Sequence, residues 1–202
     1  MRSVAMKIFD ISQEVFSCAV YPGDPSPKRQ MLSKINEGGV CNLTALSMCA
    51  HNGTHIDAPY HFFDRESTVD QIPLESTVGY AFVCSFSGEI SQKDAENILK
   101  EAQSISKEAA KRILIKGDAV LSLGAAEILA KAGILLFGNE SQTVGPEEAP
   151  MLVHKVLLSH NVILLEGVRL SSVGDGVYFL SAAPLNLGGA DGAPVRALLI
   201  QE

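Results

Sequence analysis

The chain has 202 residues, 47% apolar and 19% charged, with a net charge of −7. That length suits one large α/β domain spanning residues 1–202, able to bury a full core without disulfide or metal staples, and the composition is globular rather than disordered. No block of lysines and arginines stands out, which argues against a nucleic-acid or polybasic membrane role.

The N-terminal stretch MRSVAMKIFDIS has no signal-peptide core. No apolar run approaches the roughly 18 residues that span a bilayer, so a cytoplasmic protein is expected. KIFDIS reads as a short first strand, ended by the Pro/Gly loop YPGDPSPK at 21–28. Residues 41–51, CNLTALSMCAH, are small and apolar and read as extended. Residues 79–88, GYAFVCSFSG, have the β-branched and aromatic content of a strand. A helix over 91–102 has Ser91 as N-cap and acids in its first turn. The apolar runs 112–117 and 133–139 fit buried strands, and 123–133 between them reads as a helix stopped by Gly133. A further helix is expected over 146–160, opening with a proline and two glutamates. Residues 161–168 read as a buried strand, and 176–189 and 193–200 supply the last two. Strand–helix alternation in the middle with strands at both ends predicts a mixed sheet with helices packed on it. Cys18, Cys41, Cys49 and Cys84 form no CxxC pair and read as small core hydrophobes in a reducing compartment.

The stretch HNGTHIDAPYH, 51–61, holds three of the chain's five histidines and an aspartate. In an extended segment alternate side chains share a face, so His51, His55 and Asp57 can point together, with Gly53 leaving room between them. Two imidazoles and a carboxylate suit zinc, manganese or iron, and three protein ligands leave the open positions of a catalytic metal. His61, four residues after Asp57, need not be a ligand and could move protons.

A second acid, Glu166, lies in VILLEGV among apolar neighbours and glycine. An unpaired carboxylate there costs on the order of several kcal/mol, so it needs a cation: Arg169 or Arg196, or a metal. On the helix 146–160, His154 shares a face with Pro150, Leu157 and Leu158, twelve residues before Glu166. His160 sits at that helix's end, where an imidazole favours the dipole. NLGGADG, 186–192, lacks the frame of a phosphate loop and reads as a turn, with Asp191 and Arg196 as a candidate structural pair. YPGDP is either a plain turn or a pocket wall, and Asn139 and Glu140 end an apolar strand where they could face a pocket.

HNGTHIDAPYHF resembles the signature H-x-G-T-H-x-D-x-P-x-H of the cyclase-like metal-dependent hydrolases, a family that includes bacterial kynurenine formamidases (arylformamidases) and isatin hydrolases. FDIS and YPGDP, HKVLLSHNVILLEGV and APLNLGGADGAPVRALLI are similar to further family segments, so the likeness covers most of the chain, with 88–138 matching loosely. The resemblance implies a swivelling β/β/α domain that forms homodimers or higher oligomers. It makes His51, His55 and Asp57 ligands of one metal, with Asp57 bridging to a second held by His154 and Glu166, and His61 the general acid/base. Two departures lie on the substrate side. The chain has no tryptophan, leaving Phe16 and Tyr21 as the N-terminal rings beside a substrate, and FGNESQTV at 137–144 replaces an Asp-Ser type turn.

The expected function is hydrolysis of a carbon–nitrogen amide-type bond in a small molecule. One or two zinc ions, or manganese, activate water, and His61 protonates the leaving nitrogen. N-formylkynurenine is the substrate the resemblance favours. The alternatives are a cyclic amide such as isatin and, from another class, a metal-binding module that senses or stores a ligand without turnover.

Overall fold

A computed structural model describes residues 6–201. In chain order its elements are β1 (Lys7–Asp10), β2 (Lys28–Ser33), β3 (Leu43–Ser47), β4 (His55–Asp57), α1 (Leu74–Thr77), β5 (Val78–Ser85), β6 (Gly88–Ile90), α2 (Gln92–Ile105), β7 (Arg112–Lys116), β8 (Ala119–Leu121), α3 (Leu123–Lys131), β9 (Leu136–Asn139), α4 (Pro150–Leu158), β10 (Ile163–Glu166), β11 (Gly176–Ser181), β12 (Gly192–Pro194) and β13 (Leu198–Gln201). Nine strands form one sheet in the order β1-β13-β11-β5-β7-β9-β10-β4-β12, and two short two-stranded sheets pair β2 with β3 and β6 with β8. The central run β5-β7-β9-β10 is parallel, and the flanking pairs are antiparallel. This is the expected mixed sheet. Its parallel centre reads as near-continuous apolar sequence because both of its faces are buried.

Two apolar clusters lie on the two faces. Helices α2, α3 and α4 cover one, packing Ile98, Leu129, Val153 and Leu157 onto Phe82, Ile113 and Phe137. The other collects Ile56, Leu114, Leu165, Ala193 and Leu199 from strands across the sheet, with Ile11 from just past β1. Only residues 195–197 separate β12 from β13, yet these strands stand toward opposite ends of the strand order. Four residue steps reach at most about 14 Å, so the sheet curls until its ends approach. The single strand expected over 193–200 is therefore two strands. Val195 N–H donates to Thr54 O at one end, and Ile11 N–H donates to Ala197 O at the other.

Helix α2 begins as expected at Ser91, whose hydroxyl and the Asp94 carboxylate form a reciprocal capping box. Helix α4 begins at Pro150, four residues later than the sequence suggests. Either proline is suited to the first helical turn. The earlier one is drawn away because Val144 N–H donates to the Glu166 carboxylate at 2.9 Å, holding the preceding chain against β10. The stretch 41–51 is extended only over β3, and residues 51–54 form a turn.

Candidate metal centre

The centre is built where β4, β10 and α4 meet. Antiparallel pairing sets Glu166 opposite His55 and Leu164 opposite Asp57, so the side chains of His55, Asp57 and Glu166 emerge on the face that α4 covers. His154 points down from α4. Its Nδ1 donates to Pro150 O at 2.8 Å, one turn back on the same helix.

His51 arrives differently. The expected alternation from 51 to 57 holds only for His55 and Asp57, because the chain turns at Gly53, whose φ of 71° is left-handed. Gly53 therefore serves the backbone more than it clears space between rings. Its carbonyl accepts from His55 Nδ1 at 3.0 Å. Thr54 fastens the turn: its hydroxyl donates to Gly167 O at 2.8 Å and accepts from Gln13 N–H at 2.9 Å. Gly192, paired with Asp57 on β12, is the floor under His51. A Cβ there would lie 2.8 Å from His51 Cε1 and 2.6 Å from Ile56 O.

The inner atoms converge. His51 Nδ1 is 2.8 Å and His55 Nε2 3.3 Å from Asp57 Oδ1. His55 Nε2 is 3.4 Å from Glu166 Oε2. His154 Nε2 is 3.0 Å from Glu166 Oε1 and 3.6 Å from Asp57 Oδ2. Two donor sets result, His51/His55/Asp57 and Asp57/His154/Glu166, sharing Asp57 and each with its ligand atoms within 4.8 Å of one another.

Electrostatics make the same point. Asp57 and Glu166 are 1% and 3% exposed. Neither arginine weighed as a partner reaches Glu166: Arg169 binds Gln13 and backbone carbonyls, and Arg196 pairs with Asp10. Burial disfavours charge on His51, yet Asp191 and Asp57 push its imidazole up to about 11. Against the same penalty, Asp57 and Glu166 hold His55 at about 10, and Glu166 holds His154 at about 9. Burial likewise opposes ionisation of Asp57, but His51 and His55 keep it well below the usual carboxylate range. Left to themselves, these carboxylates keep the imidazoles protonated. A divalent cation replaces those protons with charge of the same sign at the same place, and the donor set, nitrogen and carboxylate oxygen, suits zinc or manganese. The residues fit a metal.

Asp191 was not marked for this place by its sequence. The expected pair with Arg196 does not form. Its Oδ2 instead accepts from His51 Nε2 at 2.9 Å and from His61 Nδ1 at 3.0 Å. Hydrogen bonds from those two imidazoles hold its carboxyl far below the ordinary value. His61 stacks its ring 4.2 Å from that of His51. His160 lies apart, exposed, just past the end of α4, where it bonds Val156 O.

His51, His55, Asp57, His61, His154 and Glu166 line a cavity of about 290 Å³ whose other walls include Tyr21, Asp24, Phe62, Gln142 and Met151. YPGDP is thus a cavity wall. Phe16 is not among the lining residues; it is exposed, with the Arg29 guanidinium 5.3 Å from its ring. Asn139 is buried and donates to Ala119 O and Thr143 O, and Glu140 accepts from Gly117 N–H and Leu170 N–H, both structural uses. A wider groove of about 610 Å³ opens beside Glu140 and Glu147 but is lined by no histidine.

The Cyclase family model matches residues 9–146. The chain belongs to that family. The kynurenine formamidase of Salinibacter ruber is 34% identical over 96% of this chain and 97% of its own, and that of Bacillus anthracis is 34% identical over the same shares. Among solved structures, a potential metal-dependent hydrolase with cyclase activity superposes with a TM-score of 0.81 at 30% identity, covering 98% of this chain and 99% of its own. Isatin hydrolase A of Labrenzia aggregata has a TM-score of 0.82 at 20% identity over 96% and 93%, a likeness of fold. The swivelling β/β/α architecture expected from the motif is thus the family's.

Proposed function

We propose that this chain is a divalent-metal-dependent hydrolase of carbon–nitrogen amide-type bonds, acting as an arylformamidase that converts N-formylkynurenine to kynurenine and formate. The observation that carries this reading is the buried meeting of His51, His55, Asp57, His154 and Glu166 at the base of a cavity that His61 also lines. The five residues would hold one ion or two, with Asp57 common to both sets, and zinc is the assignment, with manganese served by the same donors. A divalent ion in such a set supplies Lewis acidity, bringing water to hydroxide near neutral pH and polarising a carbonyl oxygen.

The chain's own groups supply the rest. His61 Nδ1 is occupied by Asp191, so its Nε2 is the nitrogen free to take a proton from the attacking water and pass it on to the leaving amine. Water oxygen joins the carbonyl carbon, the C–N bond breaks, and the nitrogen leaves protonated. Tyr21 and Phe62 give an aryl group apolar walls, and about 290 Å³ lies at the lower end of small-ligand cavities.

One domain over the whole chain and a homodimer or higher oligomer complete the proposal. The β2–β3 ribbon supports the oligomer: Leu32, Ile35, Leu43 and Leu46 are all more than half exposed. A two-stranded ribbon is marginal alone, and exposed apolar patches mark contact surfaces. A cytoplasmic setting is supported by four free cysteines. Among the described residues no helix is long and apolar enough to cross a membrane.

The test is elemental analysis followed by a substrate panel of N-formylkynurenine, other N-formyl anilides, isatin and other lactams, on chelator-stripped and zinc- or manganese-restored protein. Metal-dependent cleavage of the formyl anilides is expected. Turnover of lactams alone would move the assignment to cyclic amides, and a metallated chain that hydrolyses nothing would leave a binding module.

A further inference from the structure

Each inner imidazole of the centre has its second nitrogen fixed from outside. His55 Nδ1 donates to Gly53 O and His154 Nδ1 to Pro150 O, both neutral backbone carbonyls. His51 is turned the other way round, with Nδ1 inward to Asp57 and Nε2 outward to Asp191. Its outer acceptor is therefore a carboxylate, and the same oxygen, Oδ2, also accepts from His61 Nδ1. A hydrogen bond to one ring nitrogen selects the tautomer that leaves the other nitrogen's lone pair available.

The position of Asp191 is built. Its carbonyl accepts from Ala58 N–H at 2.9 Å, next to Asp57, and the following Gly192 packs without a side chain against the His51 ring. The backbone bond fixes where the carboxylate starts, and the absent Cβ lets the ring lie close enough to meet it.

We infer that Asp191 is a positioning residue that fixes the ring orientation and tautomer of both His51 and His61, coupling the cation-holding cluster to the proton-transferring imidazole. One carboxylate oxygen leaves His51 Nδ1 for the cation and His61 Nε2 for the substrate. Loss of the carboxylate frees both rings together, which neither backbone-anchored histidine would feel. The inference rests on the hydrolytic reading for the role of His61, but not for the tautomers themselves.

The test uses the full chain loaded with Zn²⁺ and labelled with ¹⁵N at histidine; five histidines keep the ring spectrum assignable. In the unaltered protein, long-range ring correlations should show His51 protonated at Nε2 and His61 at Nδ1. In Asp191→Ala, His61 should exchange between tautomers, and zinc affinity by chelator competition should fall about 10–100-fold. On whichever panel substrate turns over, kcat should fall while KM changes little. Asp191→Asn keeps one acceptor oxygen and should restore part of both zinc affinity and kcat.

His51 protonated at Nδ1, or unchanged tautomers and zinc affinity in Asp191→Ala, would overturn the inference. So would complete loss of zinc from both variants, which would make Asp191 a ligand in the set His51/His61/Asp191. Failure of the hydrolytic reading looks different: a zinc-loaded chain with the expected ring protonation that turns over nothing.

Discussion

One cross-strand row runs along the helix-covered face of the sheet from Val177 through Phe82, Ile113, Phe137 and Leu164 to Asp57 and Gly192. Its middle and its far end are equally buried: Phe82 and Phe137 are 1% exposed, and so is Asp57. Their chemistry is opposite. Each phenyl ring stabilises the fold by leaving water, whereas a carboxylate at the same depth costs free energy unless it is paired. Among the described residues Asp57 is paired only with imidazoles. A pairing of that kind is weak evidence for stability and strong evidence for a bound cation. The row thus divides into a part retained for packing and an end retained for what it binds.

The sharpest way to break this division is Asp57→Ala. Both donor sets contain Asp57, so bound metal should vanish from elemental analysis and hydrolysis should fall to background. His51 would keep only Asp191 and His55 only Glu166 as carboxylate partners, so stability should also fall, by about 1–3 kcal/mol, read by urea unfolding. Retained metal in a folded variant would mean the centre lies elsewhere.

His61→Ala separates the proposed cation site from the proton transfer proposed beside it. Turnover should fall about 10²–10⁴-fold while metal content stays level. If metal falls with it, His61 is a ligand and its proposed role is wrong.

How much of this division was legible depended on whether the signal was local. His55 and Asp57 share a face because strands alternate, and that period is readable. His154 was readable from helical spacing, and Glu166 stood out as the lone acid in an apolar run. The position of His51 was not, because the turn at Gly53 breaks the alternation. Asp191 carried no signal: its partners are 140 and 130 residues away, and a Gly-rich turn has no period to place its side chain. The curl of the sheet was hidden too, since APVRALLI looks like one strand until two separate sheet positions divide it. Long-range pairing decides both, and periodicity within one segment is blind to it.

Phe82→Ala tests the packing part of the row. Truncating this ring between Val177 and Ile113 should cost about 3–5 kcal/mol in urea unfolding. Metal bound per folded molecule should be unchanged, because the cavity at the far end keeps all its donors. A variant that loses metal as readily as stability would show that the two parts of the row are not separate.

The smallest effect, and the finest probe of the same row, is the reactivity of Cys84. It lies on β5 two residues beyond Phe82, on the same face, opposite Ile115. Burial, reinforced by Asp175 and Glu101, pushes its thiol up to about 12, whereas Cys41 is exposed. The thiolate is the reactive form, so alkylation at pH 8 should mark Cys41 quickly and Cys84 only when the sheet opens. The sign of the pH dependence follows. Above pH 9 the unfolded chain ionises this thiol and the folded chain does not, so stability should decline as pH rises from 9 toward 12. Mass-resolved labelling of Cys84 should therefore quicken in Phe82→Ala, which loosens the packing part of the row, and remain slow in His61→Ala. Equal labelling in both would show that the helix-covered face yields as one unit, packing and centre together.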